Sequence, residues 1–187
     1  MSERIAVVTG AAGGMGREIV AALIGDGAKC YGIDISNEGL REMESTLGEK
    51  FIGMEIDLTK PNKILSGFET IRVSEGGLDI LVNNAGILLT GNLFVTNSST
   101  VSDKDIKDTF QTNLFSVIAL TQKLLPLLKN SSAGRIVNVS TILSSLTLHS
   151  AKDSPIAPAK EFAYNASKTA LNAYTVHLAQ ELSLIHI

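Results

Sequence analysis

The sequence predicts an α/β fold, a doubly wound parallel sheet with helices on both faces, and three observations carry that expectation. Apolar, β-branched runs alternate with helical stripes along the chain. The first such run breaks into a glycine turn that opens directly on a helix, and the second ends on an aspartate. Both are marks of a βα repeat whose ligand sits beyond the carboxyl ends of the strands.

In chain order, Ile5-Ala6-Val7-Val8 reads as a strand buried on both faces. It leads into Thr9-Gly10-Ala11-Ala12-Gly13-Gly14-Met15-Gly16. A helix comes next, with Met15, Ile19, Val20, Leu23 and Ile24 as its stripe, and Gly25-Asp26-Gly27 closes it. Lys29 to Ile33 is a second strand, and Glu38 to Leu47 is a helix carrying Leu40, Met43 and Leu47. Phe51 to Ile56 is the third strand, Ile64, Leu65, Phe68 and Ile71 mark a helix, and Leu78 to Val82 is the fourth strand. Thr109 to Lys129 is predicted as one long helix with the stripe Phe110, Leu114, Val117, Thr121, Leu124 and Leu128. Arg135 to Val139 is the fifth strand, and helix covers most of the chain beyond Phe162. Segments 88–102 and 141–160 are polar or proline-punctuated and are predicted as loops. With no internal repeat or linker, residues 1–187 are expected to form a single domain.

Composition narrows the function. The chain is 44% hydrophobic with a net charge of −3 and both signs scattered, which offers no electrostatic footprint for nucleic acid or an anionic membrane. No apolar run approaches the roughly 18 residues of a membrane span. The first strand starts at once, so neither signal nor transit peptide is expected, and a cytoplasmic enzyme is. Cys30, the only cysteine, is expected to be a buried thiol. His149, His177 and His186 lack the spacing of a zinc set, so no metal site is expected.

The glycine turn has a physical use. Glycines let the backbone approach a pyrophosphate, and the unsatisfied N–H groups of the adjoining helix face the anion. Asp34, eighteen residues beyond Gly16, stands where an acid can bond the adenine ribose hydroxyls. Its charge would repel the additional phosphate of NADP, so NAD is the expected cofactor, with Arg17 on the first helical turn as the competing consideration. Further on, Tyr164 and Lys168 are four apart on a helix and share a face. A neighbouring ammonium is expected to stabilise the phenolate, which makes the pair a candidate general acid/base.

These motifs together resemble the classical short-chain dehydrogenase/reductases, a family with a Rossmann-type sheet, and more narrowly a carbonyl-reductase-like subgroup. The loop Thr9 to Gly16 matches the family's Thr-Gly-x-x-x-Gly-x-Gly pattern, Asn83-Asn84-Ala85-Gly86 comes after the fourth strand, and Ser140 ends the fifth. The resemblance implies that Tyr164 exchanges a proton with the substrate oxygen and that Lys168 lowers its pKa and bonds the nicotinamide ribose. It implies that Ser140 orients the carbonyl or alcohol, and that Asn113 supports a water linking the lysine to solvent. Gly10, Gly14, Met15 and Gly16 would hold the pyrophosphate, Asp34 and Ile35 the adenine ribose, and Asn84, Ala85 and Gly86 the adenosine side. Asp57, with Leu58, resembles the residue that binds the adenine amino group, although a helix cap before Lys60-Pro61 is an equal alternative. The reaction implied is reversible hydride transfer between NAD and a small secondary alcohol or carbonyl substrate. The family also implies a homodimer or homotetramer through helices 109–129 and 163–182.

Three departures stand beside the resemblance. Ser140 and Tyr164 are 24 positions apart, and residues 150–160, with two prolines, read as an insertion near the cleft that restricts the substrate or blocks an interface. Family members continue past the last helix into further strands, so the chain is expected to be C-terminally truncated, with the last strands missing and the final five residues foreign. A cofactor-binding module without turnover is one resulting alternative. Gly10, Gly13 and Gly16 also fit the loop of extended-branch epimerases and dehydratases, against which Asn83-Asn84-Ala85-Gly86 argues.

Overall fold

The structure is a computed structural model and describes residues 3–89 and 98–182. Part of the predicted loop 88–102, and His186 with the rest of 183–187, lie outside the described residues. Five parallel strands, β1 (Ile5–Thr9), β2 (Lys29–Asp34), β3 (Phe51–Glu55), β4 (Ile80–Asn83) and β5 (Arg135–Asn138), pair in the order β3-β2-β1-β4-β5. Chain order reverses direction at β1, so a crevice opens where β1 and β4 diverge toward their neighbours' loops.

Strand periodicity divides the core in two. Val7, Tyr31, Ile33, Leu81 and Ile136 face one side, where they meet α3 (Pro61–Glu75), α5 (Ser116–Leu128) and α7 (Phe162–Glu181) through Ile64, Ile71, Leu120, Leu124 and Leu178. Ala6, Val8, Cys30 and Val82 face the other, against Val20 of α1 (Gly14–Gly25) and Leu40 and Met43 of α2 (Asn37–Leu47). Gly32 of β2 makes room for this second layer, since a Cβ there would lie 2.4 Å from the Phe51 ring. Burial pushes the Cys30 thiol up to about 11, which leaves it a packing residue.

The predicted helix 109–129 differs from the observed one. Helix starts earlier, at α4 (Asp103–Phe110), with Ser102 as its cap accepting from the Asp105 N–H at 3.0 Å. A π-turn, Gln111–Phe115, then separates α4 from α5. The wider turn carries Asn113, which is fully buried. Within the predicted loop 141–160 a short 3₁₀ turn, Ile142–Ser144, and α6 (Leu146–Ser150) appear. Residues 150–160 fold back on the site, where Ile156 and Ala159 are buried with Leu143 and the Tyr164 ring packs against them. Among the described residues no helix is long and apolar enough to cross a membrane.

Candidate active site

Helix α1 begins inside the glycine loop, and each glycine there has a separate reason. Gly10 takes φ 63°, and a Cβ on it would meet the Ala85 backbone at 3.0 Å. A Cβ on Gly16 would lie 2.0 Å from the Gly10 carbonyl oxygen, so the helix can approach the loop only without one. Gly14 is the opposite case, with nothing among the described residues within 4 Å of its missing Cβ. That open side belongs to a cavity of about 410 Å³ lined by the glycine loop and the carboxyl ends of the central strands.

Thr9 locks this loop to the next one. Its hydroxyl accepts the N–H groups of Asn84 at 3.0 Å and Ala85 at 2.9 Å, while the Asn84 amide donates back to the Thr9 and Gly10 carbonyls at 3.0 and 3.2 Å. Among the described residues the Asn84 Oδ1 is buried without a partner. Asp34 braces the loop from the other side, its Oδ2 accepting the Ala12 N–H at 2.9 Å and its Oδ1 the Ser36 N–H at 3.0 Å. Arg17 is outside the cavity lining: its Nε donates to the Ala12 carbonyl at 2.9 Å and its Nη2 to Glu42 at 2.7 Å.

Asp57 is not a helix cap, which corrects one of the two sequence readings. Lys60 caps α3, with Pro61 in the first turn. The Asp57 carboxylate instead accepts the Thr59 hydroxyl at 2.6 Å and the Thr59 N–H at 2.9 Å, and these bonds hold its pKa below the ordinary carboxylate range. Asp57 and Leu58 line the cavity, as do Gly10, Gly14, Met15, Gly16, Asp34, Ile35, Asn84, Ala85 and Gly86. At its rim Met15 and Ile35 are 62% and 74% exposed, an apolar lining beside carboxylates and glycine backbone that fits an adenosine and a pyrophosphate.

Two of the four predicted catalytic residues, Asn113 and Lys168, lie at the other end of the cavity beside Gly86. A Cβ on Gly86 would lie 3.4 Å from both Asn113 Oδ1 and Lys168 Nζ. The Asn113 side chain is fully engaged, Oδ1 accepting the Ile87 N–H at 2.8 Å and Nδ2 donating to the Ile87 carbonyl at 3.0 Å and to Ser167 Oγ at 3.1 Å. Ser167 in turn donates to the Tyr164 carbonyl at 2.7 Å, so the π-turn holds α7 at the position of the tyrosine. Lys168 is buried and donates to the Val139 carbonyl at 2.8 Å, one residue before Ser140. Ser140 is exposed, its hydroxyl 3.5 Å from Ser144 Oγ.

The electrostatics differ from the sequence expectation. Burial lowers the Lys168 pKa, and burial raises that of Tyr164 instead of the ammonium lowering it. The lysine's bond goes to a backbone carbonyl, that of Val139. Sequence reasoning also missed Thr9 and Ser167 as the groups that tie the loops and helices of the site together. Their positions, directly before Gly10 and directly before Lys168, were the available signal. Among the described residues no three His, Cys, Asp or Glu side chains converge as a metal site would need.

Comparison with known proteins places this geometry among relatives. The family described as short chain dehydrogenase matches residues 4–187. A 3-oxoacyl-[acyl-carrier-protein] reductase of Salmonella typhimurium is 32% identical over 180 residues, covering 96% of this chain and 68% of that protein. A short-chain dehydrogenase from Streptomyces avermitilis superposes with a TM-score of 0.84 at 26% identity, over 99% of this chain and 63% of that one. A 3-ketoacyl-(acyl-carrier-protein) reductase from Brucella melitensis, complexed with NADH, also gives 0.84, at 25% identity over 98% of this chain and 73% of that one. The chain thus spans about two thirds of the length of such relatives.

Proposed function

The chain belongs to the short-chain dehydrogenase family, and from that premise we propose that it is a nicotinamide-dependent oxidoreductase acting on a small secondary alcohol or carbonyl compound. The observation that carries this reading is the buried Lys168 ammonium beside Gly86 and Val139, at the end of a glycine-lined cavity. The nicotinamide, when bound, supplies the hydride chemistry.

The residues of this chain do the rest. Gly10, Gly14, Met15 and Gly16 hold the pyrophosphate end, and Asn84, Ala85 and Gly86 the adenosine side of the cleft. Asp57 and Leu58 take the adenine, and Asp34 with Ile35 the ribose, where the carboxylate favours NAD over NADP. Lys168 offers its remaining N–H groups to the nicotinamide ribose. Ser140, exposed at the end of β5, orients the substrate oxygen, and Tyr164 passes a proton to or from it. Orientation of this kind contributes on the order of 7–11 kcal/mol to lowering a barrier, and proton transfer about 3–5 more. Asn113 acts on the lysine's surroundings through Ile87 and Ser167. Residues 150–160 form the wall against which the tyrosine ring packs and so limit the substrate's size. Two copies can pair through α5 and α7, where Phe115 beside α5 and Val176 on α7 are exposed.

Tyr164→Phe tests the assignment. Turnover on any accepted alcohol or ketone should fall by about 10²–10⁴-fold while NADH affinity stays within a few fold, and undiminished turnover would remove Tyr164 from the chemistry.

A further inference from the structure

Choice between the two nicotinamide dinucleotides is usually credited to the acid that ends β2, but the structure holds a second device beside it. Arg17 stands outside the cavity lining but close to the acid, because Ala12 accepts its Nε–H at the carbonyl and donates its own N–H to Asp34 Oδ2. An ideal Cβ on Gly39 would be 2.8 Å from Ala12 Cβ, 3.1 Å from Ser36 Oγ and 3.4 Å from Arg17 Nη2, so the guanidinium and the Ser36 hydroxyl, two residues beyond Asp34, lie close together at the start of α2. A cation there could receive a phosphate on the adenosine ribose. It is held back by two bonds, Nε to the Ala12 carbonyl at 2.9 Å and Nη2 to Glu42 at 2.7 Å.

We propose that Glu42, outside the cavity lining, is a specificity-positioning residue: by pairing with Arg17 it withholds the guanidinium from a 2′-phosphate and keeps the chain selective for NAD. The inference rests on the NAD reading above. The ion pair is solvent-exposed, with side-chain exposures of 36% and 65%, so it adds little to folding and can be removed without unfolding the chain. Its effect is on direction and charge, since the Nε and Nη2 edge of the guanidinium is already engaged and the Glu42 carboxylate offsets its charge toward a phosphate.

A double-mutant cycle on the full chain, read by titration of NADH and NADPH binding, tests it. Glu42→Gln should tighten NADPH about fivefold and leave NADH within about twofold. In an Arg17→Ala background the same substitution should give no NADPH gain. A gain that persists without Arg17 would mean that only negative charge was removed, and would overturn the proposal. So would a Glu42→Gln protein that still prefers NADH by the wild-type ratio, which leaves the NAD reading standing. A wild type that already binds NADPH more tightly than NADH would overturn both.

Discussion

Lys168 Nζ donates to the Val139 carbonyl at 2.8 Å, and this bond, with the one from Asn138 Nδ2 to Thr175 Oγ1, also 2.8 Å, fastens α7 to the end of β5 beside Ser140. It also leaves a buried cation without a carboxylate on its own bond. Burial lowers the lysine's pKa from 10.5, so the native state releases this proton before the unfolded chain does. The cost of burying the charge is present below the folded pKa and is relieved as pH rises through it toward 10.5. Lys168→Met should therefore leave the melting temperature at neutral pH unchanged or higher, flatten its rise with pH, and lower turnover by about 10²–10⁴-fold. A strongly destabilised Lys168→Met protein would show that the Val139 bond outweighs the desolvation.

The tyrosines titrate in the opposite sense. Burial raises Tyr31, Tyr164 and Tyr174 above 10, with Glu75 adding to the rise at Tyr31 and a bond to Thr121 opposing it at Tyr174. Their contribution to stability is complete below the unfolded pKa and is lost as pH rises through the folded values. Ultraviolet titration of the cofactor-free protein should show its phenolates forming with midpoints above 10. A phenolate signal at lower pH that vanishes in Tyr164→Phe would restore the sequence expectation that the lysine alone activates the phenol.

Glu75 anchors α3 to β2 with two short bonds, from Lys29 Nζ at 2.6 Å and the Tyr31 hydroxyl at 2.5 Å. Burial works to raise this carboxyl, but the ammonium and the hydroxyl outweigh it and hold its pKa below 4.5. The stabilisation is thus present above 4.5 and fades as pH falls through the lower folded value. Glu75→Ala removes the carboxylate acceptor of Tyr31, which is 1% exposed and keeps only Ser74 beside its hydroxyl, and should cost about 1–3 kcal/mol by chemical denaturation at neutral pH. That difference from wild type should shrink in acid, and a constant difference would point to packing instead.

Much of this was readable in advance, for reasons visible in particular residues. Val7 and Val8 face opposite layers, so β1 had to be apolar throughout, and the glycine turn after it announces the phosphate end of the site. The π-turn at Asn113 was hidden because Phe110, Leu114, Val117 and Thr121 keep helical spacing on either side of it. Helix α4 was hidden because Asp103 to Asp108 holds a single apolar residue, Ile106, and its start depends on the Ser102 cap. The state of the Tyr164–Lys168 pair could not be read from spacing, since it depends on how deeply each group is buried and on Val139, a backbone partner that sequence does not mark. Asp34 was read as a ribose ligand alone, yet both its oxygens also hold backbone N–H groups of the loops it faces.

The glycine loop permits a test in which fold and ligand are separated by two residues. A Cβ on Gly16 would lie 2.0 Å from the Gly10 carbonyl oxygen and 2.8 Å from Ala11 Cα, contacts that only a backbone shift can relieve. Gly16→Ala should destabilise the chain by about 3 kcal/mol, and its loss of cofactor binding would result from the misplaced loop. Gly14 is the first residue of α1 and has open space around it, so alanine there should keep stability or add up to about 1 kcal/mol. The added methyl nonetheless enters the cavity where a pyrophosphate would approach the backbone. Gly14→Ala should therefore weaken NADH binding at least about tenfold in a protein whose melting temperature is unchanged. Equal NADH affinity in Gly14→Ala and wild type would place the phosphates elsewhere in the cleft.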